Sequence, residues 1–283
     1  MCSRPTGIRC GILLPICWLV ILGCGGPPPE PAEPTESAPA EPAEPPHWDY
    51  GTEHGPSAWG ELSPDYAACG TGRSQSPIDI SASVATGLPA LAAQYRPVTL
   101  SIVHQEHKAD EINTGHTIQV NYPAADTLTV GDEAYALVQY HFHSPSEHAV
   151  AGRHFPMEMH LVHRTSDGKL AVVGVFIAEG AANPAFDPVW ANLPAEKGDE
   201  QQLEHVTVDV DRLLPADRTT YRYDGSLTTP PCSEGVKWFV MTTPIEMSAE
   251  QIGRFRAIVD GNNRPVQPLN GRAIATDAVG DPA

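Results

Sequence analysis

Two histidines separated by one residue can share a metal ion when the backbone between them is a strand. In Gln139-Tyr140-His141-Phe142-His143 the two-residue strand period places His141 and His143 on one face and Tyr140 and Phe142 on the other. Pro145 and a run containing Gly152 turn the chain. Glu158-Met159-His160-Leu161-Val162 can then return as a neighbouring strand, with His160 on the face shared by Glu158 and Val162. Three neutral imidazoles on two adjacent strands make an open tetrahedral zinc site with water in the fourth position. His163 competes with His160 for the third place, and strand parity does not choose between them. The bland alternative is a set of half-exposed strand histidines. His54, His104, His107, His148, His154 and His205 are read as structural or surface residues.

The elements that must position these residues are mainly strands. Segments rich in Val, Ile, Tyr, Thr and Leu, separated by Gly, Pro, Asn and Asp, predict strands over 98–103, 116–122, 136–143, 157–162, 170–177 and 236–242. Helical patterns are few: a weak one over 183–193, and one over 248–259 with Ser248 as N-cap and Gln251 three residues on. No internal repeat and no second linker follow residue 47, so the expectation is one domain, 47–283.

A chain of 283 residues with 41% hydrophobic and 18% charged residues can bury a sizeable core, which excludes pure disorder. Its formal net charge of −18 leaves no basic face for phosphates, so no nucleic-acid partner is expected. The longest apolar run, Gly11–Gly23, has 13 residues including Pro15, short of the roughly 20 that span a bilayer. That run follows Arg4 and Arg9 and ends in Ile21-Leu22-Gly23-Cys24, the order of an export signal. It resembles a bacterial lipoprotein signal over 1–24 with Cys24 as the lipidated residue; an ordinary cleaved signal or an uncleaved anchor is the alternative. Residues 25–46 read as a tether, because Pro27–Pro46 holds nine Pro and five Glu and nothing able to form a core. The expected location is the periplasm or cell envelope of a bacterium, with the membrane touched only through the lipid.

Four of the six cysteines fall in the signal. Cys69 and Cys232 remain, and an exported chain meets an oxidising compartment, so a disulfide between them is expected, with two buried thiols as the alternative.

Beyond the histidines, the sequence closely resembles the α-class carbonic anhydrases. The resemblance rests on Trp48-Asp49-Tyr50-Gly51, Ser74-Gln75-Ser76-Pro77-Ile78, Asn113-Thr114-Gly115-His116, Gln139 to His143, Ser146-Glu147-His148, Glu158 to His163, Ser226 to Glu234 and Asn263-Arg264-Pro265. It covers about 47–275, and the short connection from His143 to Glu147 looks like the bacterial branch. It implies a mainly β fold: a single large, twisted, mostly antiparallel sheet with short peripheral helices. It also implies zinc-dependent, reversible hydration of carbon dioxide to bicarbonate and a proton, by zinc hydroxide attack with a histidine proton shuttle.

Carried over residue by residue, the resemblance makes His141, His143 and His160 the Zn2+ ligands. It makes Gln139 and Glu158 acceptors for the outer ring N–H groups of His141 and His160. Thr228 and Glu147 become the pair that orients the attacking oxygen. Val162, Val172, Leu227, Val236 and Trp238 become the apolar wall for CO2, with Thr229 at its border. His116 becomes the proton shuttle, and Tyr50 and Asn113 order its waters. Thr114 and Gln119 stand where many members have Asn, so the water chain is expected to differ. The runner-up is a carbonic-anhydrase-like binding or adhesion domain without turnover; relatives of that kind usually lack a ligand histidine, and this chain retains all three. The oligomeric state is left open, a dimer included.

Overall fold

Eight longer strands form the body of the fold: β1 (Val98–His104), β2 (Ile118–Asn121), β3 (Glu133–His143), β4 (Met157–Arg164), β5 (Leu170–Glu179), β6 (Glu200–Val208), β7 (Thr220–Ser226) and β8 (Glu234–Met241). β-Branched and aromatic residues are most frequent in β1, β2, β5 and β8. The computed structural model describes residues 46–86, 88, 91–104, 116–122 and 126–277. The signal with Cys24, the tether up to residue 45, Asn113 and Thr114 lie outside the described residues.

The eight strands run side by side in the order β6-β1-β2-β3-β4-β5-β8-β7, within a sheet of 13 strands among the described residues. Neighbours are antiparallel except at three places. β5 runs parallel to β8 and to the short strand Ile245–Met247, and Ala275–Thr276 runs parallel to Val84–Ala85. The sheet is therefore mixed, with antiparallel pairs in the majority. The segment predicted from His116 begins as a strand only at Ile118, because His116 sits in the left-handed region with φ 29°.

The period-two alternation sorts side chains onto two faces. One face carries Tyr140, Phe142, Met159, Leu161, Val173, Val175, Phe239 and Met241, which pack against Trp190 and Phe255 from the helices. The other carries Val162, Val172, Phe176, Val236, Trp238 and Val240. Both faces of the centre are covered, so β4 is buried from Met157 to His163. Each large apolar side chain buried this way contributes about 1.5–3 kcal/mol.

Helices stay short and peripheral. Over 183–193 the chain makes a 3₁₀ turn (Pro184–Phe186) and one α-turn (Asp187–Trp190), with Pro184 and Pro188 in the first turns, where no N–H is needed. The helix Ala249–Arg256 begins at the predicted cap. Ser248 Oγ accepts from Gln251 N at 3.2 Å, and Gln251 Oε1 accepts from Ser248 N at 3.1 Å. A third cluster joins Trp48, Trp59 and Tyr66 to Cys69 and Cys232, which form the expected disulfide.

His163 faces the larger core, its Nε2 2.8 Å from the Tyr95 hydroxyl. Burial pulls its pKa down from 6.5 to about 4. Between those values the unfolded chain binds the proton that the native state refuses, so stability is lost as pH falls through that window. The contribution reaches roughly 3 kcal/mol. In urea denaturation of the metal-free protein from pH 7 to 4, His163→Gln should lose stability less steeply than the wild type.

Candidate metal centre

The register of β3 and β4 assembles the three imidazoles. His160 lies directly across from His141, and Glu158 across from His143, so all four share one face. Ring centroids are 5.0 Å apart for His141–His143, 5.3 Å for His141–His160 and 4.6 Å for His143–His160. A bulge between Val162 and His163 then pairs His163 with Leu137, and His163 turns to Tyr95 on the core side. His160, not His163, joins the pair.

Each imidazole gives its outer nitrogen to an acceptor. His141 Nδ1–H donates to Gln139 Oε1 at 2.9 Å, His143 Nδ1–H to the Asn262 carbonyl at 2.7 Å, and His160 Nε2–H to Glu158 Oε1 at 2.9 Å. A carbonyl or carboxylate oxygen can only accept, so these bonds fix the three tautomers. The remaining lone pairs are Nε2, Nε2 and Nδ1, and the three residues offer donor atoms within 4.8 Å of one another. His143 Nε2 is buried without a hydrogen-bond partner. Burial pulls the His141 pKa well below 6.5, with the neighbouring imidazoles adding to it, and lowers that of His143. Three neutral, preoriented nitrogen donors around one point are the donor set of a zinc site with an open fourth position.

His148, Glu158 and His160 form a second compact group. Its atoms are already committed to each other: His148 Nδ1 and His160 Nε2 both meet Glu158 Oε1, and His148 N donates to Glu158 Oε2 at 2.8 Å. That group is a support for the first. Burial pushes the Glu158 carboxyl up, but His148 and His160 outweigh it and hold the pKa well below the usual range. His148, read from sequence as structural or surface, is fully buried, with Nε2 2.6 Å from the Tyr223 hydroxyl. Gly174 faces His160 across β5, and a Cβ there would stand 3.0 Å from Glu158 Oε1.

Around the imidazoles the other expected residues gather unevenly. Glu147 Oε2 lies 3.6 Å from His143 Nε2 and 3.8 Å from His160 Nδ1. Glu147 Oε1 accepts from Arg264 N at 2.9 Å, and Oε2 has no hydrogen-bond partner, so the bond expected from Thr228 is not made to it. Val162, Val172, Val236 and Trp238 form one cluster with Leu227 packed against it, and Trp238 meets the His160 ring at 4.9 Å. Thr228 and Thr229 are buried on the loop after Leu227. A cavity of about 510 Å³ is lined by Tyr50, His116, Lys197 and Asn262. Burial, then the nearby Glu147, raises the Tyr50 pKa well above 10. His116 Nε2 is 3.1 Å from the Trp48 carbonyl and Nδ1 is 3.0 Å from Lys197 Nζ.

The comparisons agree with this geometry. Residues 54–278 match the family described as eukaryotic-type carbonic anhydrase. The chain is 44% identical to a carbonic anhydrase of Pectobacterium atrosepticum over 81% of its own length and 90% of that protein's. It is 42% identical to one of Nostoc over 81% and 85%. A solved α-carbonic anhydrase of Thermovibrio ammonificans, bound to the inhibitor sulfanilamide, superposes with a TM-score of 0.75 at 43% identity, covering 81% of this chain and 99% of that one. The chain belongs to the α-carbonic anhydrase family.

α-Carbonic anhydrases use zinc, and His141, His143 and His160 are a site that fits it. Sequence reasoning missed three residues of this carbonic anhydrase site: Asn262, His148 and Gly174. Asn262 donates a backbone carbonyl from 119 residues away, which no side-chain pattern announces. Gln139→Leu should weaken zinc binding about 10–100-fold by stranding the His141 Nδ1–H, and His143→Ala should weaken it more; zinc titration against a competing chelator measures both.

Proposed function

We propose that this protein is a zinc-dependent carbonic anhydrase, catalysing the reversible hydration of CO2 to bicarbonate and a proton. The observation that carries the reading is the convergence of three buried, tautomer-fixed imidazole donors beside a dry wall, in a chain of this family. When bound, zinc lowers the pKa of its water to about 7, the general value for the carbonic anhydrase class.

The chain's own residues do the rest. Val162, Val172, Leu227, Val236 and Trp238 offer an apolar surface next to His160, where a small neutral substrate displaces water. The Thr228 hydroxyl accepts the hydrogen of the attacking oxygen and donates its own to Glu147, whose Oε2 is open to it, and Thr229 contacts the product at the border of the wall. This pair works by orientation, since a near-attack geometry removes entropy from the barrier.

Each turnover leaves a proton to be removed. His116 takes it at Nδ1 when the exposed Lys197 gives way to water, while Nε2–H stays on the Trp48 carbonyl. Burial, then Lys197, lowers the His116 pKa from 6.5, which favours release of the proton to buffer. Tyr50 and Asn113 order the intervening waters.

We further propose export and lipidation at Cys24, supported by the apolar run ending in Leu22-Gly23-Cys24 and by the Pro/Glu tether, which reaches at most about 60 Å in polyproline II. In that reading the enzyme works in the cell envelope. Cys24→Ser should release it from membranes or leave it unprocessed, and unchanged membrane association refutes the anchor.

Stopped-flow CO2 hydration by the zinc-loaded protein, abolished by a chelator and restored by zinc, is the expected result. A zinc-loaded protein without turnover returns the binding-domain reading. His116→Ala should lower kcat in dilute buffer, leave kcat/KM nearly intact, and respond to added imidazole.

A further inference from the structure

Arg264 is the largest buried charge that the reading above does not use. Its residue is 1% exposed, and its guanidinium makes three hydrogen bonds. Nη2 donates to the Cys69 carbonyl at 2.9 Å, and Nη1 donates to Gln75 Oε1 at 2.9 Å and to the Ser76 carbonyl at 2.8 Å. The guanidinium also lies 5.7 Å from the Trp59 ring. Gln75 spends its own Nε2 on the Cys232 carbonyl at 3.0 Å and on Glu234 Oε1 at 3.0 Å. Arg264 therefore holds both ends of the disulfide, Cys69 directly and Cys232 through Gln75.

The same two points reach the reaction site from opposite sides. Cys232 N donates to the Thr229 carbonyl at 2.8 Å, closing the loop that carries Thr228. Arg264 N donates to Glu147 Oε1 at 2.9 Å, and no other hydrogen bond restrains that carboxyl, since Oε2 has no partner. An amide N–H is as well placed as the residue that bears it. Arg264 is placed by its guanidinium, and the guanidinium by the clamp that the disulfide closes.

We propose that Arg264 is a positioning residue for the hydration step: its side chain reads the geometry closed by Cys69–Cys232, and its backbone N–H passes that geometry to Glu147, opposite the Thr228 loop that the disulfide itself holds. This rests on the carbonic anhydrase reading. A guanidinium serves better than an apolar side chain because three carbonyl oxygens, those of Cys69, Ser76 and the Gln75 amide, converge on it. An apolar residue would leave all three unpaired.

A misplacement near 1 Å at a reacting group costs up to about 100-fold in rate. Zinc-loaded Arg264→Met, with the disulfide intact, should keep its zinc and lose about 10–100-fold in kcat/KM for CO2. Its kcat in dilute buffer should fall less, because proton release through His116 limits that parameter; His116→Ala shows the opposite split. Gln75→Leu, which removes the link to Cys232 and the bond to Glu234 but leaves Arg264 bonded to the Cys69 and Ser76 carbonyls, should fall in the same direction, and it serves if Arg264→Met fails to fold. Reducing the disulfide should lower kcat/KM of the wild type but add less than about twofold to Arg264→Met, since the two changes act along one connection. Unchanged kcat/KM per bound zinc in Arg264→Met or, failing that, Gln75→Leu, even with lower thermal stability, overturns the proposal, and so do fully additive losses. A wild-type zinc protein with no chelator-sensitive hydration defeats the carbonic anhydrase reading itself, whereas an active wild type with indifferent variants defeats only the role of Arg264.

Discussion

Three imidazole rings within 5.3 Å of each other in a dry interior must be neutral and must agree on which nitrogens face inward. That agreement is imposed from outside the group. Gln139, the Asn262 carbonyl and Glu158 each take one N–H, and the inner lone pairs follow. Glu158 in turn is kept in place by His148 and by the absence of a side chain at Gly174. His148 leans on Tyr223, which lies 2.9 Å from Ser76. One requirement, a fixed tautomer for each ring, thus reaches Tyr223 on β7 and Ser76.

The sheet divides the labour between its faces. Tyr140, Phe142, Leu161 and Val173 pack against Trp190 and Phe255 and supply most of the apolar burial. The opposite face holds the histidines and the apolar cluster of Val162, Val172 and Trp238 beside them. His163 is the price of this arrangement on the far face: a buried, neutral imidazole beside Tyr95 that makes acid costly.

Strands alone place side chains on one plane, and a cleft needs residues brought to it from outside that plane. Loops do this here. The disulfide, Gln75 and Arg264 tie the segment at Cys69 to the loop at Cys232 and to Glu147. Trp48 backs His116 with a carbonyl, and Asn262 bonds both the His116 carbonyl, at 3.3 Å, and His143. His116 and His143 therefore share a single anchor.

Much of this was legible in the chain itself. The His-x-His pair, the returning Glu-x-His strand and the apolar alternation are local, because a strand's period of two is a property of the backbone and needs no partner. The cap at Ser248 is local for the same reason, and the pairing of Cys69 with Cys232 follows from counting once an export signal is read. Motif order and spacing carried the family. What only the folded molecule decided is long-range. His160 was chosen over His163 by the β3–β4 register, which sets His160 across from His141, and parity within one strand cannot see its neighbour. Asn262 enters through a backbone carbonyl, which every residue possesses and no sequence pattern marks. His148 and Arg264 look like surface residues by type, since charged and titratable groups usually prefer water. Their burial becomes favourable only when partners as distant in sequence as Tyr223, Cys69 and Gln75 take up hydrogen bonds that tertiary packing brings within reach, even though Arg264 Nε is left without one.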